Sequence, residues 1–349
     1  MNLLRRIPAI GIATGILLFS FCQTASAFTY WHGVRSDDWN DGISGSVSNW
    51  YSAPPPNGGP LNVPKINAMF AKGALRLNIV IRNRTGIGKM QFEPEAPVYT
   101  FRIARNRTMT IDGAGIVNKS NSTPKFTVLK GATLLLNGTA ALRPLAGGAS
   151  ASIEAVDLGA GFKLGSEAKG GNAIVLNRNN AYTHFLDRST AERMTITSRS
   201  GGETAFFDRS SPERAHLINL TGGYTSVAGT DGPSGNGVVP VGRIDNNGQF
   251  AIGDRTVNVE QTLTQGADGS LKLIIRQQVY GSLSIEGQAT LDGELIVNAT
   301  SSALPGTYKV IVANARTGQF SKLTFSGPST LKARLAYSAR EVRVIIEPK

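Results

Sequence analysis

The stretches "AYTHFLDRSTAERMTI" (181–196) and "GETAFFDRSSPERAHL" (202–217) are two copies of one pattern that lie next to each other along the chain. Asp-Arg-Ser occurs at 187–189 and again at 208–210, and Glu-Arg occurs at 192–193 and again at 213–214. Each copy is too short to bury an apolar face by itself, so neighbouring copies must stack on one another. This stretch therefore predicts a solenoid.

The repeat extends in both directions as columns of similar residues. Gly and Asn occupy one column, which is typical of a corner with positive φ, whereas apolar residues or threonines occupy three others, which indicates a shared interior. The columns are Gly159, Asn180, Gly201 and Gly222; Thr183, Thr204 and Thr225; Leu164, Phe185, Phe206 and Val227; and Val175, Ile196 and Leu217. The repeat is clear from about position 159 to 227 and is irregular upstream.

Short segments in which apolar and polar residues alternate fill most of the remaining chain. Examples are "LRLNIVI" (75–81), "SLKLIIR" (270–276) and "EVRVII" (341–346). Their period of two indicates strands, and neither leucine-rich spacing nor propeller signatures accompany them. The predicted fold is an all-β, right-handed parallel β-helix. Roughly 15 coils of about 21 residues, each rising about 4.8 Å, would form a rod on the order of 70 Å long.

The composition excludes several classes of protein. The 349 residues are 41% hydrophobic and 17% charged, with 40 Gly and one Cys, which excludes disordered, coiled-coil and disulfide-built chains. The formal net charge is +12, but no Lys/Arg block indicates specific nucleic-acid binding. A dispersed positive charge of this kind favours loose attraction to anionic envelopes or glycans.

Positions 1–27 are predicted to be a secretory signal peptide. Arg5 and Arg6 precede the apolar stretch Ala9 to Cys22, and Ala25-Ser26-Ala27 fits the cleavage rule. Cleavage would remove Cys22, the single thiol, and no later segment approaches the roughly 20 apolar residues of a membrane span. We divide the remainder into 28–256, a Trp-rich cap followed by β-helix coils, and 257–349, a C-terminal part.

Several motifs resemble those of autotransporter passengers, and the likeness covers nearly all of the chain after position 27. The start "YWHGVRSDDWNDGISGSVSNWYSAPPP" (30–56) carries a Trp-x-Gly, an Asp-Trp and an Asn-Trp, as many passengers do. The coils "IDGAGIVNKSN" (111–121), "GATLLLNG" (131–138) and "FFDRSS" (206–211) are similar to passenger repeats. The C-terminal segments "LTQGADGSLKLII", "SIEGQATLDGELIV", "GTYKVIVANARTGQF" and "ARLAYSAREVRVII" resemble an autochaperone-like end. We expect the family's outer-membrane barrel to be absent, because the sequence stops at Pro348-Lys349.

The resemblance implies export to the periplasm, cell surface or exterior of a Gram-negative bacterium, and it implies a non-enzymatic role as an adhesin-like or envelope- or matrix-binding rod. Because the family supports many roles on one scaffold, two alternatives stay open. One is an extracellular polysaccharide lyase or hydrolase, and the other is a passenger remnant without activity. We expect a monomer whose partners are acidic glycan, lipopolysaccharide or host matrix.

The sequence predicts no catalytic residue, metal site or cofactor. Lyases and hydrolases need clustered carboxylates, and the densest acidic stretch, "SDDWND" (36–41), is more typical of Asx turns. His32, His184 and His216 share no metal-ligand spacing, and no catalytic serine motif, phosphate loop or dinucleotide fingerprint is present.

Two sets of residues are candidates for binding. Trp31, Trp39 and Trp50 could form a sugar-stacking platform, although a cap over the open end of the β-helix is the favoured interpretation. Arg188, Arg193, Arg209 and Arg214 would stack one coil apart and could form a strip that binds acidic polysaccharide or lipopolysaccharide. The alternative is a solvated turn in which neighbouring Asp and Arg pair with each other.

The signal-peptide prediction is testable by mass analysis of the protein exported from its natural host. We expect a mature chain that begins at Phe28, because the cleavage rule places the cut after Ala27. Recovery of an intact Met1 in a membrane fraction would show instead that the apolar stretch is retained as an anchor.

Overall fold

The fold was analysed in a computed structural model, which describes residues 28–144, 151–277 and 279–349. The predicted signal peptide lies outside the described residues. Within them the regular elements are strands, and parallel sheets stack as a β-solenoid of about 11 turns, which confirms the predicted parallel β-helix class. No helix in this part of the chain is long and apolar enough to cross a membrane.

The strands of the described residues fall into two long sheets, A and B. Sheet A contains β1 (Thr29–Trp31), β2 (Trp50–Tyr51), β3 (Pro60–Leu61), β4 (Asn67–Phe70), β6 (Thr85–Phe92), β8 (Thr108–Asn118), β10 (Thr133–Leu136), β11 (Ala141–Pro144), β13 (Gly161–Leu164), β15 (Tyr182–Phe185), β17 (Glu203–Asp208), β19 (Tyr224–Thr230), β22 (Gln249–Gly253), β25 (Ser270–Ile275), β27 (Glu294–Ala299) and β29 (Lys322–Ser326). Sheet B contains β5 (Asn78–Ile81), β7 (Thr100–Ile103), β9 (Lys125–Val128), β12 (Ser152–Ala155), β14 (Ile174–Asn177), β16 (Thr195–Ser198), β18 (His216–Asn219), β20 (Val238–Val241), β21 (Arg243–Asn246), β23 (Thr256–Val259), β24 (Leu263–Gln265), β26 (Ser282–Leu291), β28 (Gly306–Gly318), β30 (Leu331–Tyr337) and β31 (Glu341–Pro348).

The coils differ in length, and there are fewer of them than the sequence predicts. Successive coils lie roughly 24 residues apart, which gives about 11 turns and a correspondingly shorter rod. Where the repeat is clear, Gly161 pairs with Tyr182 and Tyr182 pairs with Glu203, so each coil there has the length of the sequence repeat. The preceding coil is longer, because Thr133 pairs with Gly161. Extra residues at corners lengthen a coil without disturbing the strand register, so they leave no periodic signal.

The columns seen in the sequence occupy the predicted places. Gly159, Asn180, Gly201 and Gly222 all have positive φ, between 62° and 76°, as a left-handed corner requires. Phe185 pairs with Phe206 on adjacent strands, and their rings stack with centroids 4.4 Å apart. Each apolar column therefore forms a continuous stack in the interior, where dispersion contacts repeat from coil to coil.

A second internal column is polar and lies at the end of the sheet B strands. Its members are buried and comprise Asn177, Ser198, Asn219, Asn246 and Gln265. Thr183 Oγ1 donates to Asn177 Oδ1 at 2.9 Å, and Thr225 Oγ1 donates to Asn219 Oδ1 at 2.6 Å, so the threonine column faces this one. Because buried polar groups are costly unless they are hydrogen-bonded, this network fixes the registry of the corner between the two sheets.

Both ends of the solenoid carry antiparallel pairings. At the N-terminal end β2 pairs with β1 and with β3, and at the C-terminal end β31 lies between β28 and β30. The edge strand β30 carries Lys332 and Arg334, which discourage pairing with other chains. The boundary that we drew at 256/257 falls at the start of β23 and stays a prediction about sequence organisation.

Replacement of Phe206 by Asp tests the inward direction of its column. Phe206 is fully buried against Phe185, so an unpaired carboxylate there should cost about 3 kcal/mol or more and lower the urea midpoint of unfolding steeply. The control is Phe207→Asp, because the neighbouring Phe207 side chain is partly exposed and should tolerate the charge. Equal midpoints for the two variants would contradict the assigned register.

Candidate binding groove

The third face of the solenoid, between sheets A and B, carries two four-residue strands on either side of its middle coils, β11 and β20. Between them Lys169, Thr190 and Ser211 make only single-residue parallel bridges to their neighbours. These middle coils have the length of the sequence repeat and lie between longer ones, because Thr133 pairs with Gly161 before them and Tyr224 pairs with Gln249 after them.

A groove of about 780 Å³ lies along these short coils, and we call it the binding groove. The residues that line the groove are charged, apolar or small, and they come from the short coils and from the longer coils on either side. They are Leu142, Arg143, Pro144, Gly171, Asn172, Glu192, Arg193, Glu213, Arg214, Pro240 and Glu260. A volume of this size lies within the range of small-molecule sites.

Gly171 lines the groove at a corner that packs closely on the preceding coil. Its φ is +62°, and a Cβ built there would collide with the carbonyl oxygen of Leu142 in the preceding coil. The equivalent corner carries Glu192 and Glu213 in the next two coils. Arg143 lies on β11 and lines the same groove.

The stacked acidic residues occupy left-handed corners. The φ values of Asp187, Asp208, Glu192 and Glu213 lie between 51° and 56°. Asp208 Oδ2 accepts from the backbone N–H of Asp187 at 3.1 Å, and Glu192 Oε2 accepts from Gly171 N–H at 2.9 Å. These two carboxylates therefore satisfy corner N–H groups of the preceding coil. The interpretation that neighbouring Asp and Arg pair with each other does not describe their contacts.

The four predicted arginines are exposed but do not form one strip. Arg188 and Arg209 lie in the turn that precedes the third face, whereas Arg193 and Arg214 lie in the turn that follows it and line the binding groove. Arg214 Nε lies 3.3 Å from Glu260 Oε2. Among the described residues, no ion pair within 4.0 Å involves the other three.

Arg143 is a groove residue that the sequence analysis missed. It is exposed on β11 and, like Arg193, takes part in none of the ion pairs found between described residues. The bridge between Ala141 and Lys169 joins β11 to the short coils. No repeat signal could have found Arg143, because it lies upstream of the clear repeat and a longer coil separates it from the short ones.

Trp31, Trp39 and Trp50 have no exposed surface. The rings of Trp31 and Trp39 pack edge-on against Trp50, with centroids 5.1 Å and 4.8 Å away, and Trp39 also contacts Phe70 and Phe101. The indoles fill the N-terminal end of the core, as a cap would. This packing leaves no indole face accessible to a sugar ring.

The groove contains one carboxyl group with a shifted pKa. Burial raises the pKa of Glu213 above its usual range, and the neighbouring Glu192 carboxylate raises it further, while Lys169 and Arg214 oppose the shift. The two carboxylates lie one coil apart, and like charges at this spacing repel each other.

The other titratable residues of the sequence analysis lie apart from one another. Each histidine has its own neighbour: His32 Nε2 lies 2.9 Å from the Ala53 carbonyl oxygen, His184 Nε2 lies 3.4 Å from Glu203 Oε1, and His216 Nε2 lies 2.7 Å from Asp245 Oδ2. In the Trp-rich start, Asn40 N–H donates to Asp38 Oδ1 at 2.9 Å, which is an Asx-type contact. The described ranges contain no group of three or more His, Cys, Asp or Glu side chains that could hold a metal ion.

Comparisons of the chain with protein-family models, curated proteins and solved structures give no match. The β-solenoid is consistent with a β-helix passenger, but no matching family supports an assignment to the autotransporters.

Replacement of Glu213 by Gln should stabilise the protein by about 0.5 kcal/mol at pH 7, a modest gain because the side chain is partly exposed. A raised pKa means that the ionised carboxylate costs stability above that pKa. The gain should therefore disappear as the pH falls below the ordinary pKa of Glu, where both folded and unfolded chains are protonated. Thermal unfolding of the parent and the variant at a series of pH values from acid to neutral measures this gain in stability.

The control for this prediction is Glu167→Gln, which changes an exposed carboxylate outside the groove and should leave the unfolding temperature unchanged. A loss of stability in Glu213→Gln at neutral pH would show that its carboxylate makes a stabilising contact that outweighs the repulsion.

Proposed function

We propose that this protein is an exported, non-enzymatic β-helix that binds acidic glycans at a cell surface or in the surrounding matrix. The observation that carries the proposal is a set of exposed arginines around the short coils that form no ion pair with a described residue: Arg143, Arg188, Arg193 and Arg209. A guanidinium group offers five donors in a planar fork that matches carboxylates, sulfates and phosphates. Unpaired exposed arginines also occur in the N-terminal coils, but the set around the short coils includes Arg143 and Arg193, which line the groove.

The net charge and the rod-like fold support the same proposal. With a formal charge of +12, the chain is attracted to anionic surfaces, and stacked coils repeat equivalent side chains at about 4.8 Å intervals. Polymers with repeating anionic groups match an array of this kind. Export, surface location and the adhesin-like role belong to this proposal.

A polysaccharide-active enzyme is the second candidate, and the groove gives a specific reason to retain it. Glu192 and Glu213 lie one coil apart in the groove, and the pKa of Glu213 is raised, as general acids require. Against this candidate, both residues occupy left-handed corners, and the Glu192 carboxylate is already used to accept from Gly171 N–H. Release of reducing ends from acidic polysaccharides by the purified protein would favour the enzyme.

The proposal is tested by retention of residues 28–349 on an acidic-polysaccharide column eluted with salt. We expect the variant with Arg143, Arg188, Arg193 and Arg209 changed to Gln to elute at clearly lower salt, with its affinity about tenfold weaker, because charge-assisted hydrogen bonds are lost. Its thermal stability should be nearly unchanged, since all four side chains are exposed.

The matched control changes Arg84, Arg102, Arg105 and Arg107 to Gln, which removes the same charge from exposed positions in the N-terminal coils, away from the short coils and the groove. Retention close to that of the parent is expected. Equal losses of retention in both variants would show that net charge alone drives the interaction. Unaltered retention of the first variant would reject the proposed role of the arginines.

A further inference from the structure

The binding groove runs along the solenoid axis for several coils. It extends from β11 past Lys169, Thr190 and Ser211 to β20, which is four coil spacings or about 19 Å. A sugar ring in an extended polysaccharide advances by a distance similar to one coil spacing. The groove can therefore follow consecutive sugars of a glycan chain.

Both carboxylates and guanidinium groups line the groove. Glu192, Glu213 and Glu260 line it together with Arg193 and Arg214. A chain with several sulfates or phosphates on each sugar would place negative charge against these carboxylates, and the repulsion would offset its attraction to the arginines. Sugar hydroxyls are instead attracted to these carboxylates, because they can donate hydrogen bonds to carboxylate oxygens.

Two of the guanidinium groups that line the groove have no ion-pair partner. Arg143 lies on the longer coil and Arg193 lies on a short coil, and neither forms an ion pair with a described residue. A carboxylate can accept two parallel hydrogen bonds from one such fork. Pro144 on β11 and Pro240 on β20, both partly exposed, add apolar surface suited to the C–H faces of sugar rings.

We infer that the binding groove recognises a glycan with isolated carboxylates among hydroxyl groups, such as a uronic-acid polysaccharide, in preference to a densely sulfated or phosphorylated chain. Arg143 and Arg193 bind the carboxylates, and Glu213 accepts hydrogen bonds from sugar hydroxyls. This inference rests on the proposed function and narrows its ligand. It also assigns the groove arginines a role that Arg188 and Arg209, in the other turn, do not share.

The test measures binding of residues 28–349 to four hexasaccharides by titration calorimetry at one fixed ionic strength. The probes are oligogalacturonate and hyaluronan, which carry carboxylates only, heparin, which is densely sulfated, and maltohexaose, which is neutral. We expect one of the two uronate probes to bind at least about tenfold more tightly than heparin. Binding governed by charge alone gives the reverse order, because heparin carries more charge.

Two matched double variants locate the site. Arg143→Gln with Arg193→Gln should weaken uronate binding about tenfold or more, whereas Arg188→Gln with Arg209→Gln, which removes the same charge, should change it less than about twofold. A third variant, Glu213→Gln, should raise the affinity for heparin and so reduce the preference for the uronate probes over heparin. Circular dichroism and unfolding midpoints establish that each variant is folded.

The outcomes separate this inference from the proposed function. If heparin binds most tightly, or if both double variants lose affinity equally, the groove assignment is overturned while acidic-glycan binding stands. If the parent binds none of the three acidic probes and is not retained on the polysaccharide column, the proposed function fails and the inference fails with it.

Discussion

The structure depends on parallel hydrogen bonding between successive coils, which holds equivalent residues about one strand spacing apart. Any side chain that recurs with the coil must therefore tolerate a copy of itself above and below. Phenylalanines meet this condition by stacking, as Phe185 and Phe206 do. Buried Asn and Thr meet it by hydrogen bonding, as Asn177 and Thr183 do. The core is thus a set of columns whose register is fixed by apolar contacts and by polar pairing.

Charged residues meet the same condition at the corners through the backbone. A left-handed corner leaves an N–H group that needs an acceptor, and a carboxylate from the next coil supplies it, as Asp208 does for Asp187. This contact explains why acidic residues recur in columns although like charges repel. The arginines beside them have no comparable structural role and stay exposed. The repeat therefore combines acidic residues that support the corners with exposed arginines, of which Arg214 forms an ion pair with Glu260.

Coil length is the variable that shapes the surface. Strands of a parallel solenoid keep their register, so residues added to or removed from a coil change only its corners and its third face. The groove lies along short coils between longer ones, and Gly171, which admits no side chain, lets the corner pack closely on the preceding coil. A groove can thus arise in a regular β-helix without a loop insertion in the groove itself. Much of its charged lining comes from residues at the corners.

The sequence by itself determined the all-β solenoid, the interior columns and the glycine and asparagine corner, because each of these depends on a period that stacking enforces. It did not determine the number of coils, since corner insertions carry no period. Nor did it separate the four arginines into two turns or join Arg143 to Arg193, because residues so distant in the chain meet only through the lengths of the intervening coils. Burial of Trp31, Trp39 and Trp50 was likewise decided by tertiary packing, since an aromatic residue at a solenoid end can either cover the core or face solvent.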